Sequence, residues 1–313
     1  MMTTETRNRA PLSAPAEQRP GHASLFDDAF LRKLERLDLL ARKIFRGQMR
    51  GEHTTPRRGH GIEFSDFRRY RPGDDIRRID WNIYSRLDRL FLKLYATEED
   101  ISLHVLMDAS ASMGIGAPSK FDHARRIGAA LAYIGLNNLD RVSFTTFAAT
   151  LGAGVPSIQS RHQMPSLLSL LDELPCTGTS DFGMSLAEFA RRTRAPGIVV
   201  LISDLLTEGD LQLGIERLRG RGHDVFVLQL LAEDEIDPAL DGALHLIDAE
   251  TGAAINVTVD EQLRLLYKER LHKRLNEVEH YCLRRGIEYL RASTAIGFED
   301  VVLKYLRRGA LLK

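Results

Sequence analysis

Three runs of almost uninterrupted apolar residues, Ile101–Met107, Gly197–Ser203 and His223–Leu231, are separated by segments of helical periodicity. A strand with one wet face alternates apolar with polar residues, whereas a strand covered on both faces is apolar throughout. The segments between these runs read as helices at Phe121–Leu136, Met164–Leu174, Phe182–Arg192 and Leu211–Arg219, with a further strand at Arg141–Phe147. Strands and helices in alternation predict an α/β fold with a doubly wound, mainly parallel sheet. Beyond it, Leu244–Val259 reads as a hairpin turned at Glu250-Thr251-Gly252, and Glu261–Arg285 as a long amphipathic helix stopped by Gly286. A last strand is expected at Ile287–Leu290 and a last helix at Phe298–Leu306.

Ahead of the first apolar run the pattern differs. Leu25–Phe45 carries Phe30, Leu34, Leu37, Leu40, Ala41 and Ile44 at helical spacing, with Gly47 as a stop. Residues 50–61 read as loop, Glu63–Arg86 mixes aromatics with charges without a clear period, Leu87–Tyr95 reads as a strand, and Thr97–Asp100 as a turn. The 313 residues therefore divide into a disordered tail (1–24), an N-terminal mixed α+β extension that is partly separate (25–96), and an α/β domain (97–313). Lys+Arg and Asp+Glu both number 43, so overall charge points to neither nucleic acid nor a membrane surface. No apolar run approaches the roughly 20 residues of a membrane span, and the N-terminus lacks the apolar segment of a signal peptide. Two cysteines, Cys176 and Cys282, fit a reducing cytoplasm and are expected to behave as small buried hydrophobes.

The first apolar run ends in Asp108-Ala109-Ser110-Ala111-Ser112. One carboxylate and two hydroxyls on a strand-end turn suit a hard cation such as Mg²⁺ or Mn²⁺, and ligands of open α/β sheets bind at such strand ends. Two later loops also carry oxygen: Thr177-Gly178-Thr179-Ser180-Asp181, and Ser203-Asp204 at the end of the second run. If these loops converge, Asp108, Ser110, Ser112, Thr179 and Asp204 gather around one ion. Thr177 competes with Thr179, and Ser203 and Asp181 are either supporting groups or helix caps. On its own, D-x-S-x-S is also the pattern of a turn that caps the next helix. Neutral hydroxyls would leave the cation short of negative charge and ready to take an external carboxylate.

These five residues, in this order, resemble the metal-ion-dependent adhesion site of von Willebrand factor A domains. The wider chain resembles the bacterial family catalogued as domain of unknown function fifty-eight. Its signature is similar to Gly61-Ile62-Glu63-Phe64, then Arg68 and Tyr70, Gly73-Asp74, and Arg77 with Ile79-Asp80-Trp81, running into the D-x-S-x-S-M stretch. The resemblance covers the chain from about Phe26 onward. It implies a von Willebrand factor A-like fold, a bound Mg²⁺ or Mn²⁺, and a MoxR-type AAA+ ATPase as partner, with a client protein. Many members carry membrane helices ahead of the signature; none is seen here, so a membrane-anchored role is not expected.

Between positions 68 and 89, arginines (68, 69, 71, 77, 78, 86 and 89) are interleaved with acids. This reads either as a docking surface for an acidic partner or, the favoured reading, as an internal ion-pair network, with Trp81 as a core anchor. His104 and His123 lack ligand spacing, and His104 is expected to be structural. No G-x-S-x-G, H-E-x-x-H or G-x-x-x-x-G-K-[ST] motif occurs. A dehalogenase-type phosphatase carries a second Asp where this chain has Ser110. The expected function is a non-enzymatic, metal-dependent protein-binding adaptor; the alternative is a Mg-dependent phosphohydrolase using the same site.

Overall fold

The computed structural model describes residues 25–48, 63–72, 74–96, 102–138, 141–193, 195–207 and 210–308. The expected tail, the 50–61 loop, Gly61-Ile62 and Gly73 of the signature, and the Thr97–Asp100 turn lie outside the described residues.

Six strands form the central sheet: β3 (Ser102–Asp108), β4 (Arg141–Phe147), β5 (Leu151–Ile158), β6 (Ile198–Ser203), β7 (Asp224–Leu231) and β10 (Glu288–Ser293). Their order is β10-β7-β6-β3-β4-β5, and every neighbouring pair is parallel except β4 with β5. The chain first builds outward from β3 to β4 and β5, then returns to the other side of β3 with β6. The sheet thus changes its winding direction between β3 and β6.

Both faces are covered, and β3, β6 and β7 are buried along almost their whole length. On one face Leu103, Val105, Met107, Val200 and Ile202 join residues of α3 (Lys120–Asn137), α4 (Met164–Glu173) and α9 (Phe298–Arg307). On the other, Leu106, Val199, Leu201 and Val227 meet α5 (Phe182–Arg192), α6 (Leu211–Gly220) and α8 (Glu261–Arg284). The α/β expectation therefore holds, and residue alternation within each strand decides which helix layer a side chain meets.

Helix α1 (Asp28–Gln48) packs on the first of these faces. Its buried stripe of Phe30, Leu34, Leu37 and Ala41, with Phe26 just ahead of the helix, continues the core. Phe30 stacks on Phe298 with ring centres 5.1 Å apart, and Lys33 pairs with Glu299 at 2.6 Å. The helix expected in the N-terminal extension is thus part of the same packing as the large sheet.

The signature residues build a small antiparallel pair, β1 (Glu63–Arg69) with β2 (Phe91–Ala96), joined through the short helix α2 (Trp81–Leu87). Asp80 caps α2 by accepting the Asn82 and Ile83 amides at 2.8 and 3.1 Å. Arg68 holds Asp74 at 2.7 Å, and the same carboxylate accepts the Arg71 amide. The ion-pair reading is correct for that pair. Trp81 is not a core anchor: at the first position of α2 the residue is 62% exposed, beside an exposed Tyr84. The residue that turns inward there is the capping Asp80, which is 6% exposed.

Between β7 and α8 the chain adds α7 (Glu233–Ile236) and the hairpin of β8 (Gly242–Ile247) and β9 (Ala254–Val259). No described helix is long and apolar enough to cross a membrane.

Gly197 opens β6 where the strand presses on β3. A Cβ there would lie 2.1 Å from the Ser102 carbonyl oxygen and 2.7 Å from the Ser102 Cβ. Gly197→Ala is therefore expected to cost about 1–3 kcal/mol by forcing two central strands apart. A shift in the urea midpoint measures it, and an unchanged midpoint would contradict this account of the β3–β6 contact.

Candidate metal site

Because the winding reverses between β3 and β6, the loops that leave these strands diverge to opposite faces and open a crevice at their carboxyl ends. Met107 is paired with Ile202 in the register, so the next residues, Asp108 and Ser203, emerge side by side. The Ser203 hydroxyl donates to Asp108 Oδ2 at 2.6 Å, and the Ser110 amide donates to Asp108 Oδ1 at 2.9 Å. Asp108 and Ser110 are completely buried. The Ser110 and Ser112 hydroxyl oxygens lie 3.1 Å apart, close to the edge of an oxygen octahedron around a small dication.

The third loop is drawn in by backbone pairing: the Ala111 amide donates to the Gly178 carbonyl at 2.9 Å, and the Thr177 amide to the Ala109 carbonyl at 2.8 Å. This places Thr179 next to the D-x-S-x-S turn with its side chain exposed. Asp181 caps α5 by accepting the Met184 amide, so its role is local. The Cys176 thiol donates to the Ser110 carbonyl at 2.9 Å, and burial pushes its pKa up to about 12. A thiol raised in this way stays protonated at neutral pH and is a poor nucleophile.

Asp204 follows Ser203 and is 1% exposed. Its Oδ1 accepts the Leu206 amide at 3.2 Å, and its carbonyl accepts the Gln229 side-chain amide, which in turn accepts from the Tyr289 hydroxyl. Leu205, between them, adopts a left-handed conformation with φ of 55°, costly for a branched side chain and typical of backbone held for function. Its carbonyl and that of Thr207 accept from the Arg274 guanidinium on α8.

The residue not anticipated from sequence is Lys120. It opens α3, where a cation opposes the helix dipole, and its ammonium is completely buried. It donates to Asp204 Oδ2 at 2.6 Å and also to Glu235 on α7. The signal available in the sequence was a lysine at the first position of the helix, where a cation opposes the dipole. Glu235 in turn walls an apolar groove of about 390 Å³ between the β8–β9 hairpin and α8. At the tip of that hairpin, Glu250 accepts the Ser180 amide at 3.2 Å.

The electrostatics follow from burial. Desolvation first, and the neighbouring Asp204 second, push Asp108 up to about 6. Desolvation also raises Glu235, against the opposing pull of Lys120. By formal charge, the three carboxyls of Asp108, Asp204 and Glu235 accompany one ammonium, which pairs with the last two. The cluster therefore carries two uncompensated negative charges, the charge of a single divalent cation. Among the described residues no three His, Cys, Asp or Glu side chains gather as a ligand set, so a cation held here would depend on serine and threonine hydroxyls. A donor set of oxygen alone selects Mg²⁺ or Mn²⁺ over softer metals.

Residues 66–277 match the family described as protein of unknown function DUF58. The chain belongs to that family. Among its relatives, the uncharacterized protein Rv1480 of Mycobacterium tuberculosis is 25% identical over 266 residues, 83% of each chain. The uncharacterized protein MAV169 of Mycobacterium avium is 29% identical over 113 residues, 35% of this chain and 66% of that one. Two solved structures are similar at a low level. They are the conserved hypothetical protein BatB of Bacteroides thetaiotaomicron (TM-score 0.41, 15% identity, 66% of this chain and 99% of that chain) and an aerotolerance-related membrane protein of Bacteroides fragilis (TM-score 0.42, 17% identity, the same coverage). The DUF58 match covers the signature from Asp66 onward, the D-x-S-x-S turn and both later loops.

Proposed function

We propose that this DUF58 protein is a non-enzymatic, cytoplasmic adaptor with a von Willebrand factor A-like domain that grips a partner through a divalent cation. The observation that carries the reading is the meeting of three separate loops at the β3–β6 crevice, with a net charge that one dication balances. Ser110, Ser112, Thr179, Asp108 and Asp204 would hold Mg²⁺ or Mn²⁺. When bound, the ion supplies a Lewis-acidic position that takes a carboxylate oxygen. Asp108 and Asp204 do so largely as charges, since each of their oxygens already accepts a hydrogen bond from the protein. Ser110, standing where a dehalogenase-type phosphatase carries its second Asp, argues against Asp108 as the nucleophile of a phosphohydrolase. The resemblance noted above supplies the proposed partner, a MoxR-type AAA+ ATPase that hydrolyses ATP while this chain positions it on a client protein.

Isothermal calorimetry with Mg²⁺ or Mn²⁺ tests the reading. One site per chain is expected in the native protein, with at least a tenfold loss of affinity in Asp108→Ala. Equal affinity in the two proteins would remove the basis for the adaptor. Turnover of simple phosphate esters by the Mg²⁺-loaded chain, abolished in Asp204→Ala, would establish the phosphohydrolase instead.

A further inference from the structure

The Lys120–Glu235 pair is more than the binding reading requires. A metal site with two aspartates needs no lysine, and a lysine at the start of a helix is in an unfavourable place. Yet this ammonium is completely buried, at 2.6 Å from one of the two aspartates, and its other partner is an acid that belongs to a different element. The other charged groups of these loops bond to neutral partners and not to Asp204: Arg274 donates to the Leu205 and Thr207 carbonyls, and Glu250 accepts from Ser180. Lys120 is thus the cation in direct contact with Asp204, and Glu235 is the acid that shares it.

We propose that Lys120 is a built-in counter-cation and Glu235 the acid that offsets it, and that together they set the affinity of the β3–β6 crevice for a divalent cation. Lys120 is a positioning residue. It fixes Asp204 Oδ2 and withdraws part of its charge from the crevice, while Glu235 returns that charge. The inference rests on the proposed metal site and adds the rule by which its affinity is adjusted. The rule has a signature that a merely structural pair would not produce, because the two substitutions act in opposite directions.

Glu235→Gln keeps the size of the side chain and reduces the negative charge of the cluster from two to one. It is expected to weaken Mn²⁺ binding by about tenfold or more, because a charge within several ångströms of a shielded ion changes its binding by that order. Lys120→Met raises the cluster to three negative charges and is expected to tighten Mn²⁺ by a similar factor. The double variant Lys120→Met/Glu235→Gln restores two charges and is expected to bind close to the native affinity. The measurement is calorimetry of the full chain with Mn²⁺ alone, with a thermal melt of each variant as the check on folding. If Lys120→Met does not fold, Glu235→Gln alone still decides, since native affinity in that variant overturns the inference.

Native binding with Glu235→Gln unchanged, or with both single variants weakened alike, overturns the inference and leaves the metal site standing. No Mn²⁺ binding in the native chain or in any variant removes the metal site, and the inference with it. Binding that appears only in Lys120→Met supports the inference, since it shows the lysine outcompeting the ion.

Discussion

Alanine in place of Lys120 is expected to cost about 3–5 kcal/mol of folding stability, the range for removing one partner of a buried ion pair. The loss comes from what remains. Asp204 is 1% exposed, and Glu235 would lose the ammonium it is paired with. Desolvated charges without a partner are far more expensive than the pair itself is favourable. Alanine at Glu235 leaves the Lys120–Asp204 contact intact and is expected to cost clearly less. Urea unfolding in metal-free buffer measures both. A Lys120→Ala cost below that of Glu235→Ala would mean that the buried ammonium is not the centre of the network. Mg²⁺ should restore more stability to Lys120→Ala than to the native protein, because a ligand that binds only the folded state stabilises it in proportion to its affinity.

Acid is expected to weaken the fold through its buried histidines. His104 is lowered to about 4, first by burial and then by His223, whose ring lies 5.4 Å away. It accepts or donates to Ser143 at 2.6 Å and lies 3.3 Å from the Ala195 carbonyl oxygen. His123 is also lowered to about 4, by burial and then by Arg126, with Glu299 opposing. Between the ordinary value near 6.5 and these lowered ones, the unfolded chain takes up protons that the folded chain refuses. Stability contributed by neutral histidine is thus complete above pH 6.5 and is lost as the pH falls toward 4. Asp108 works in the opposite sense: raised to about 6, it is protonated earlier in the folded state and returns part of the loss. The histidine contribution is isolated by comparing the native chain with His123→Leu at pH 7.5 and 4.5. The native chain should lose about 2.5 kcal/mol more between these two values than the variant. Parallel losses would show that His123 is charged, or equally neutral, in both states.

What could be read in advance follows from where a residue's behaviour is decided. The continuous apolar runs announced the central strands because burial on both faces removes the polar residues that would otherwise alternate. The helix at Phe182–Arg192 has the bounds its periodicity predicts, since its apolar stripe and its Asp181 cap are both local. β5 went unread: Gly152, Gly154 and Pro156 interrupt its pattern, which is tolerated because it pairs on one side only, at the edge of the sheet. Trp81 was misjudged because tryptophan is usually buried, whereas here the neighbouring aspartate takes the inward position as a cap. Asp108, Ser110, Ser112 and Asp204 were legible as strand-end oxygens. Their geometry rests on Met107 lying opposite Ile202, a pairing across 95 residues of chain. Lys120 and Glu235 lie 115 residues apart, and nothing in their local sequence links them. Only the folded crevice does.

The most direct measurement is a crystal of the full chain grown with Mn²⁺ and recorded where manganese scatters anomalously. The account predicts one strong peak in the β3–β6 crevice, about 2.1–2.3 Å from the Ser110 and Ser112 hydroxyl oxygens, with Lys120 still on Asp204. Manganese found only elsewhere on the surface, with the crevice empty at saturating metal, would contradict it.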